Sequence, residues 1–118
     1  MSAAGHEAVL GEIERLIADA GEADDVLGGT VTLLHERLQR PVRIRFLEEG
    51  ELVAGPAAGP APLDVEAFPI HFQGAYVANL EVGLPLDETD HDLLRKVAEL
   101  VAPHALVGWD ADGEPWKA

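Results

Sequence analysis

Apolar residues keep helical spacing at both ends of the chain and alternate through its middle. Val9, Ile13, Leu16, Ile17 and Ala20 share one helical face, and Gly21 stands where that helix would end. Leu27, Val31, Leu34 and Leu38 form the seam of a second helix, with Asp24 or Asp25 as its cap and Pro41 as its stop. Gly28 and Gly29 in its early turns would let a neighbouring segment approach closely. The period then changes. Val42, Ile44 and Phe46 point one way and Arg43, Arg45 and Leu47 the other, as in a half-buried strand. Glu49-Gly50 reads as a turn, and Glu51 to Ala54 as a short returning strand.

The run GPAAGPAP, from Gly55 to Pro62, reads as a stiff connector with no reactive side chain. A third strand, Val65 to Phe72, contains Pro69; proline cannot donate to a ladder, so this strand belongs at a sheet edge. Gln73-Gly74 closes a hairpin onto a fourth strand, Ala75 to Leu84. There Tyr76, Ala78, Leu80 and Val82 take one face and Val77, Asn79, Glu81 and Gly83 the other. A third helix starts near Thr89, which with Asp92 makes a capping-box spacing, while Asp87, Glu88 and Asp90 suit the positive end of the helix dipole. Its apolar stripe is Leu93, Leu94, Val97, Leu100, Val101 and His104, and Pro103 is expected to kink it without ending it. Residues 110–118 read as an irregular tail.

The length, 118 residues, fits one domain spanning 1–118. The net charge of −14 argues against nucleic-acid binding and against anionic membrane surfaces, both of which need clustered Lys and Arg. No apolar run is long enough to cross a membrane, and the N-terminus lacks a basic region before an apolar one, so a cytoplasmic protein is expected. There is no cysteine, which removes disulfides, thiolate metal sites and a cysteine nucleophile.

The order helix, helix, two strands, hairpin, long helix resembles a GAF domain. The hairpin "PIHFQGAYVANLEV" looks like the family's strand, x-Gly turn and second strand, and "DETDHDLLRKVAELVAPHA" looks like its C-terminal helix. The resemblance implies an α+β, GAF/PAS-like fold with a four-stranded mixed sheet, order 2-1-4-3, and helices mostly on one face. It also implies that the helices and strand which usually roof the ligand pocket shrink here to Gly55–Leu63. The Asn-Lys-Phe-Asp-Glu motif of cyclic-nucleotide-binding members is absent, and so are the cysteines of the bilin-binding and free-methionine-sulfoxide-reductase members.

Arg43 and Arg45 share a strand face. If the fourth strand lies beside the first, Glu81 and Asn79 join them, with His71 nearby. Such a guanidinium pair suits a small anion or carboxylate; the same residues equally suit plain cross-strand pairing. His91 among Asp87, Glu88, Asp90 and Asp92 could hold a divalent ion, but acids gather at helix starts anyway, so no metal or cofactor is expected. Asp110 to Glu114 looks like the first half of a calcium loop without its closing Glu. No Ser/His/Asp spacing, nucleophile elbow or phosphate loop is present. The expectation is therefore a non-enzymatic signalling or regulatory module working through a homodimer or a protein partner, the alternative being a small-anion or metabolite sensor. Ile13, Leu16, Leu93, Val97, Leu100 and His104 are the expected dimer surface, as the resemblance adds weight to pairing through terminal helices.

Overall fold

Seven elements follow one another: α1 (Ala3–Asp19), α2 (Ala23–Leu38), β1 (Val42–Glu48), β2 (Glu51–Ala58), β3 (Val65–Phe72), β4 (Ala75–Gly83) and α3 (Glu88–Val107). They are seen in a computed structural model that describes residues 3–19, 23–61 and 64–107. Gly21, the expected end of the first helix, and the tail from residue 108 lie outside the described residues.

The sheet order is β2-β1-β4-β3, with β1 and β4 central, as expected. All three pairings are antiparallel, so the sheet is not mixed: β2 returns beside β1, and β4 returns beside β3 and also runs antiparallel to β1. Even-numbered positions 42–46 of β1 and 78–82 of β4 face the core. Val42, Ile44, Phe46, Ala78, Leu80 and Val82 are buried there with Phe68 and Ile70. α2 and α3 cover this face through Leu27, Val31 and Leu34 and through Leu94, Val97 and Val101, and α1 packs on both of these helices with Ile13 in the shared core. α1 and α2 approach closely at Gly29, where a Cβ would stand 2.7 Å from the Leu16 side chain.

Three details depart from the sequence reading. First, β2 does not stop at Ala54 but runs through Gly55 and Pro56 to Ala58. Arg43 pairs with Ala57 and Arg45 with Ala54, so two residues oppose Ile44 and make a bulge. A bulge in an edge strand tolerates Pro56 without a lost ladder bond. Gly55 is required there: an added Cβ would lie 2.5 Å from the Phe46 ring and 2.7 Å from the Ile44 carbonyl oxygen. Second, Ile70 pairs with Ala78 but His71 pairs with Tyr76, leaving Val77 as an extra residue. This slip turns Tyr76 away from the core side and onto the face of His71 and Asn79. Third, α3 is capped by Asp87, not Thr89. The Asp90 amide donates to Asp87 Oδ1 (2.8 Å), and the Asp87 amide reaches Asp90 Oδ2 (3.3 Å).

Both hairpin turns use left-handed backbone, at Glu49-Gly50 (φ 50° and 83°) and Gln73-Gly74 (φ 52° and 82°). α2 ends on Gln39, also left-handed, before Pro41 is reached. α2 begins at Ala23, so Asp24 and Asp25 fall inside the helix and not before it. α3 continues past Pro103 to Val107.

Candidate functional site

The outer face of the sheet carries a row of polar side chains between rows of small ones. Arg43 and Arg45 of β1 stand opposite Glu81 and Asn79 of β4. Ala54 and Ala57 of β2 flank the arginines on one side, and Ala67 and Pro69 of β3 flank the β4 pair on the other. Short neighbours let the guanidinium groups lie down across the sheet.

They lie on Glu81. Arg43 Nε donates to Glu81 Oε1 at 2.6 Å, Arg45 Nε to Oε1 and Oε2 at 3.0 and 2.9 Å, and Arg45 Nη2 to Oε2 at 2.7 Å. The Glu81 side chain is 2% exposed, although no described helix or strand lies over this face, and the two arginines that lie on it are each 34% exposed. Burial pushes the Glu81 carboxyl up, but hydrogen bonds and charge from Arg45 and then Arg43 outweigh it and hold the group below the ordinary carboxylate range. The carboxylate is fully engaged, whereas both Nη groups of Arg43 and Nη1 of Arg45 have no partner among the described residues. Two cations against one anion leave this array positive within a chain of net charge −14.

Beyond Arg45 the face continues with Asn79, whose Oδ1 accepts from the Tyr76 hydroxyl at 2.6 Å and whose amide NH2 is left to donate outward. Tyr76 in turn lies against the His71 ring, centroids 5.6 Å apart. All five expected face residues, Arg43, Arg45, His71, Asn79 and Glu81, are thus brought to one surface. Alternation alone places Tyr76 on the other face, and only the slip at Val77, which leaves no trace in such a pattern, puts it here. Between Ala58 and Val65 there is no helix or strand among the described residues, and no described element roofs the face.

The other candidates disperse. Asp87 and Asp90 cap α3, Asp92 pairs with Arg95 at 2.9 Å, and His91 lies 3.2 Å from Glu66 and against Phe68. Among the described residues no group of three His, Asp or Glu side chains is arranged to hold a metal. An open groove of about 640 Å³ runs between β3 and α3, bordered by Glu66, Phe68, His71, His91, Arg95 and Glu99. His6 of α1 is buried 3.2 Å from Asp90 Oδ1, a contact the sequence pattern did not signal. The apolar faces expected to form a dimer are turned into the chain's own core at Ile13, Leu93 and Val97, while Leu16, Leu100 and His104 are half-buried. α1 packs on α2 and α3, and α3 also lies on the sheet, so these stripes are largely used within the chain. Among the described residues only Tyr76 and Leu84 are large, apolar or aromatic, and exposed. No described helix is long and apolar enough to cross a membrane.

No family model matches the sequence, and no curated protein matches it. Solved structures do match in fold. A free methionine-R-sulfoxide reductase from Neisseria meningitidis, in complex with its substrate, is 19% identical with a TM-score of 0.76, over 89% of this chain and 90% of that one. The corresponding reductase of Staphylococcus aureus, also with substrate, is 16% identical with a TM-score of 0.71, over 85% and 95%. The GAF domain of a phosphoenolpyruvate-protein phosphotransferase from Coxiella burnetii is 14% identical with a TM-score of 0.78, over 90% and 95%. These likenesses correct the expectation of a non-enzymatic regulatory module, with sensing as its alternative: proteins with this arrangement of helices and strands include reductases holding substrate, so lack of a familiar catalytic motif does not argue against an enzyme. The chain has a GAF-like fold.

Proposed function

We propose that this chain is an enzyme domain whose substrate is a small, carboxylate-bearing metabolite held on the outer sheet face. The observation that carries the proposal is the Arg43–Glu81–Arg45 array. Glu81 fixes both guanidinium planes, so little side-chain freedom is lost when they bind an anion, and donors of both arginines remain for it. Asn79 and the outer edge of Arg45 supply donors for a second polar group of the substrate. His71 and Tyr76 close the row as the groups able to deliver a proton.

The similar reductases act on free methionine-R-sulfoxide, and that is the first substrate to test here. Reducing a sulfoxide to a sulfide takes two electrons and two protons and releases the oxygen as water. Two thiols supply both by becoming a disulfide. These 118 residues contain no cysteine, so both thiols must come from a dithiol co-reactant, and this chain's part is to bind and orient the sulfoxide. The test is to incubate the purified protein with free methionine sulfoxide and dithiothreitol and to quantify methionine, alongside calorimetric titration of the sulfoxide. Saturable binding and dithiol-dependent methionine formation are expected, both reduced at least about tenfold in the Arg43→Ala/Arg45→Ala variant, as loss of a charge-assisted hydrogen bond of ~1.5–3 kcal/mol implies. No binding at millimolar sulfoxide together with methionine no higher than the dithiol blank would overturn it.

A further inference from the structure

Beside Arg43, at the corner where β1 begins and β2 ends, lies a hollow of about 220 Å³. It exists because of the local backbone. The bulge opposite Ile44 lets β2 run on to Ala57 and Ala58, which pair with Arg43 and Val42. Gly59 then turns the chain with φ of 89° and packs against His35, so close that a Cβ there would lie 2.8 Å from the imidazole. His35 is itself fixed by a 2.8 Å bond between its Nδ1 and the Arg40 carbonyl oxygen. The walls that result are Pro41, Ala57, Ala58, Gly59 and Pro60, short or ring-shaped and without a polar side-chain atom. Arg43 alone among the lining residues brings a charge, and its Nη groups are the donors that Glu81 leaves unused.

An apolar hollow with one arginine in its lining fits a carboxylate attached to a short, unbranched aliphatic chain. We infer that this hollow is a specificity subsite, taking an unreactive aliphatic substituent of the substrate while Arg43 takes its carboxylate and the reacting group lies toward Asn79, Tyr76 and His71. The inference rests on the carboxylate-binding reading above and adds the substrate's chain to it. The volume lies below the ~300–1,000 Å³ of pockets for drug-sized ligands, so it admits a few carbon atoms and no ring system of any size. Ala57 sets the limit from the β2 side, since its Cβ stands on the sheet face directly opposite Arg43.

The test is a ladder of unbranched carboxylates, acetate to hexanoate, titrated into the whole protein and followed by the side-chain NMR signals of Arg43. Butyramide and 1-butanol are the uncharged controls. Affinity should rise about threefold to fourfold per methylene until the hollow is full, then level off. The controls should bind at least about tenfold more weakly than butyrate, the loss expected when a charged partner is removed. Ala57→Phe should flatten the ladder, so that hexanoate binds that variant no tighter than acetate does. Ala61→Leu, on the exposed rim, should shorten the ladder and serves if the phenylalanine variant does not fold. A ladder that is flat in the wild-type protein, or equally steep in both variants, overturns the subsite while leaving carboxylate binding in place. Failure of every carboxylate, with Arg43 signals unmoved, removes the underlying reading and the subsite with it.

Discussion

Replacing Glu81 by Gln keeps the shape of the side chain and removes the anion under two cations. The wild-type carboxylate accepts four N–H contacts of 2.6–3.0 Å while 2% exposed. In the variant one oxygen can still accept, but the amide NH2 faces guanidinium donors, and the arginines are left beside each other uncompensated. Breaking a buried pair from one side costs about 3–5 kcal/mol, whereas exposed pairs are worth about 0–1 kcal/mol. The arginines are one-third exposed, so water takes over part of their solvation. The expected loss is therefore about 2–3 kcal/mol at pH 7, or roughly 8–15 °C in Tm for a chain of this size. Urea unfolding of both proteins from pH 7 to pH 3 is the assay. Because the folded pKa of Glu81 is held low, the contribution is present above the unfolded glutamate value of about 4.3 and lost as pH falls through the folded value. The gap between wild type and variant should hold from pH 7 to about pH 5 and close below about pH 4. A gap under about 0.5 kcal/mol at pH 7, or one that widens on acidification, would refute the claim that the array is a preorganised, desolvated unit.

Gly55→Ala should destabilise the protein by about 1–3 kcal/mol in the same urea assay, since its Cβ would overlap Phe46 and the Ile44 carbonyl. Asp87→Ala should lower Tm and speed amide exchange at Asp90. The Asp87 carboxyl is held low by the Asp90 amide and then the Thr89 hydroxyl, so this effect should be full above the unfolded aspartate value of about 3.9 and fade as pH falls through the folded one. Gln73→Asn should raise stability by about 0.5 kcal/mol in thermal melts, because Asn-Gly suits a turn with two left-handed residues better than Gln-Gly.

How much of this was legible depended on whether a pattern could hide an inserted residue. Val42, Ile44 and Phe46 alternate against β4 without interruption, so the faces of Arg43, Arg45, Asn79 and Glu81 were readable from period alone. Tyr76 and the stretch from Gly55 to Ala58 were misread because each adjoins a bulge, and a bulge changes parity without changing composition. The cap of α3 was misplaced for a related reason: Asp87 and Thr89 can both accept from an amide three residues on, and only the actual start at Glu88 decides between them. The stripes of α1 and α3 were read correctly as apolar, and Ile13, Leu93 and Val97 on them lie in the chain's own core. A stripe records that a face is buried, not whether the burying surface belongs to the same chain. The hollow beside Arg43 had the faintest signal, a run of residues too small to fill space.

The arginine array has a kinetic consequence that follows from its surroundings. Its net positive charge is local, whereas the field that meets an approaching carboxylate at a distance is that of the whole chain, at −14. At 0.01 M salt the screening length is about 30 Å, and a net-anionic carboxylate such as butyrate is repelled long before it reaches the guanidinium groups. At 0.15 M the length falls to about 8 Å, short enough to mute remote acids while the arginines still act at contact. Association with carboxylates should therefore speed up as salt is raised through this range, the reverse of the usual behaviour of an oppositely charged pair.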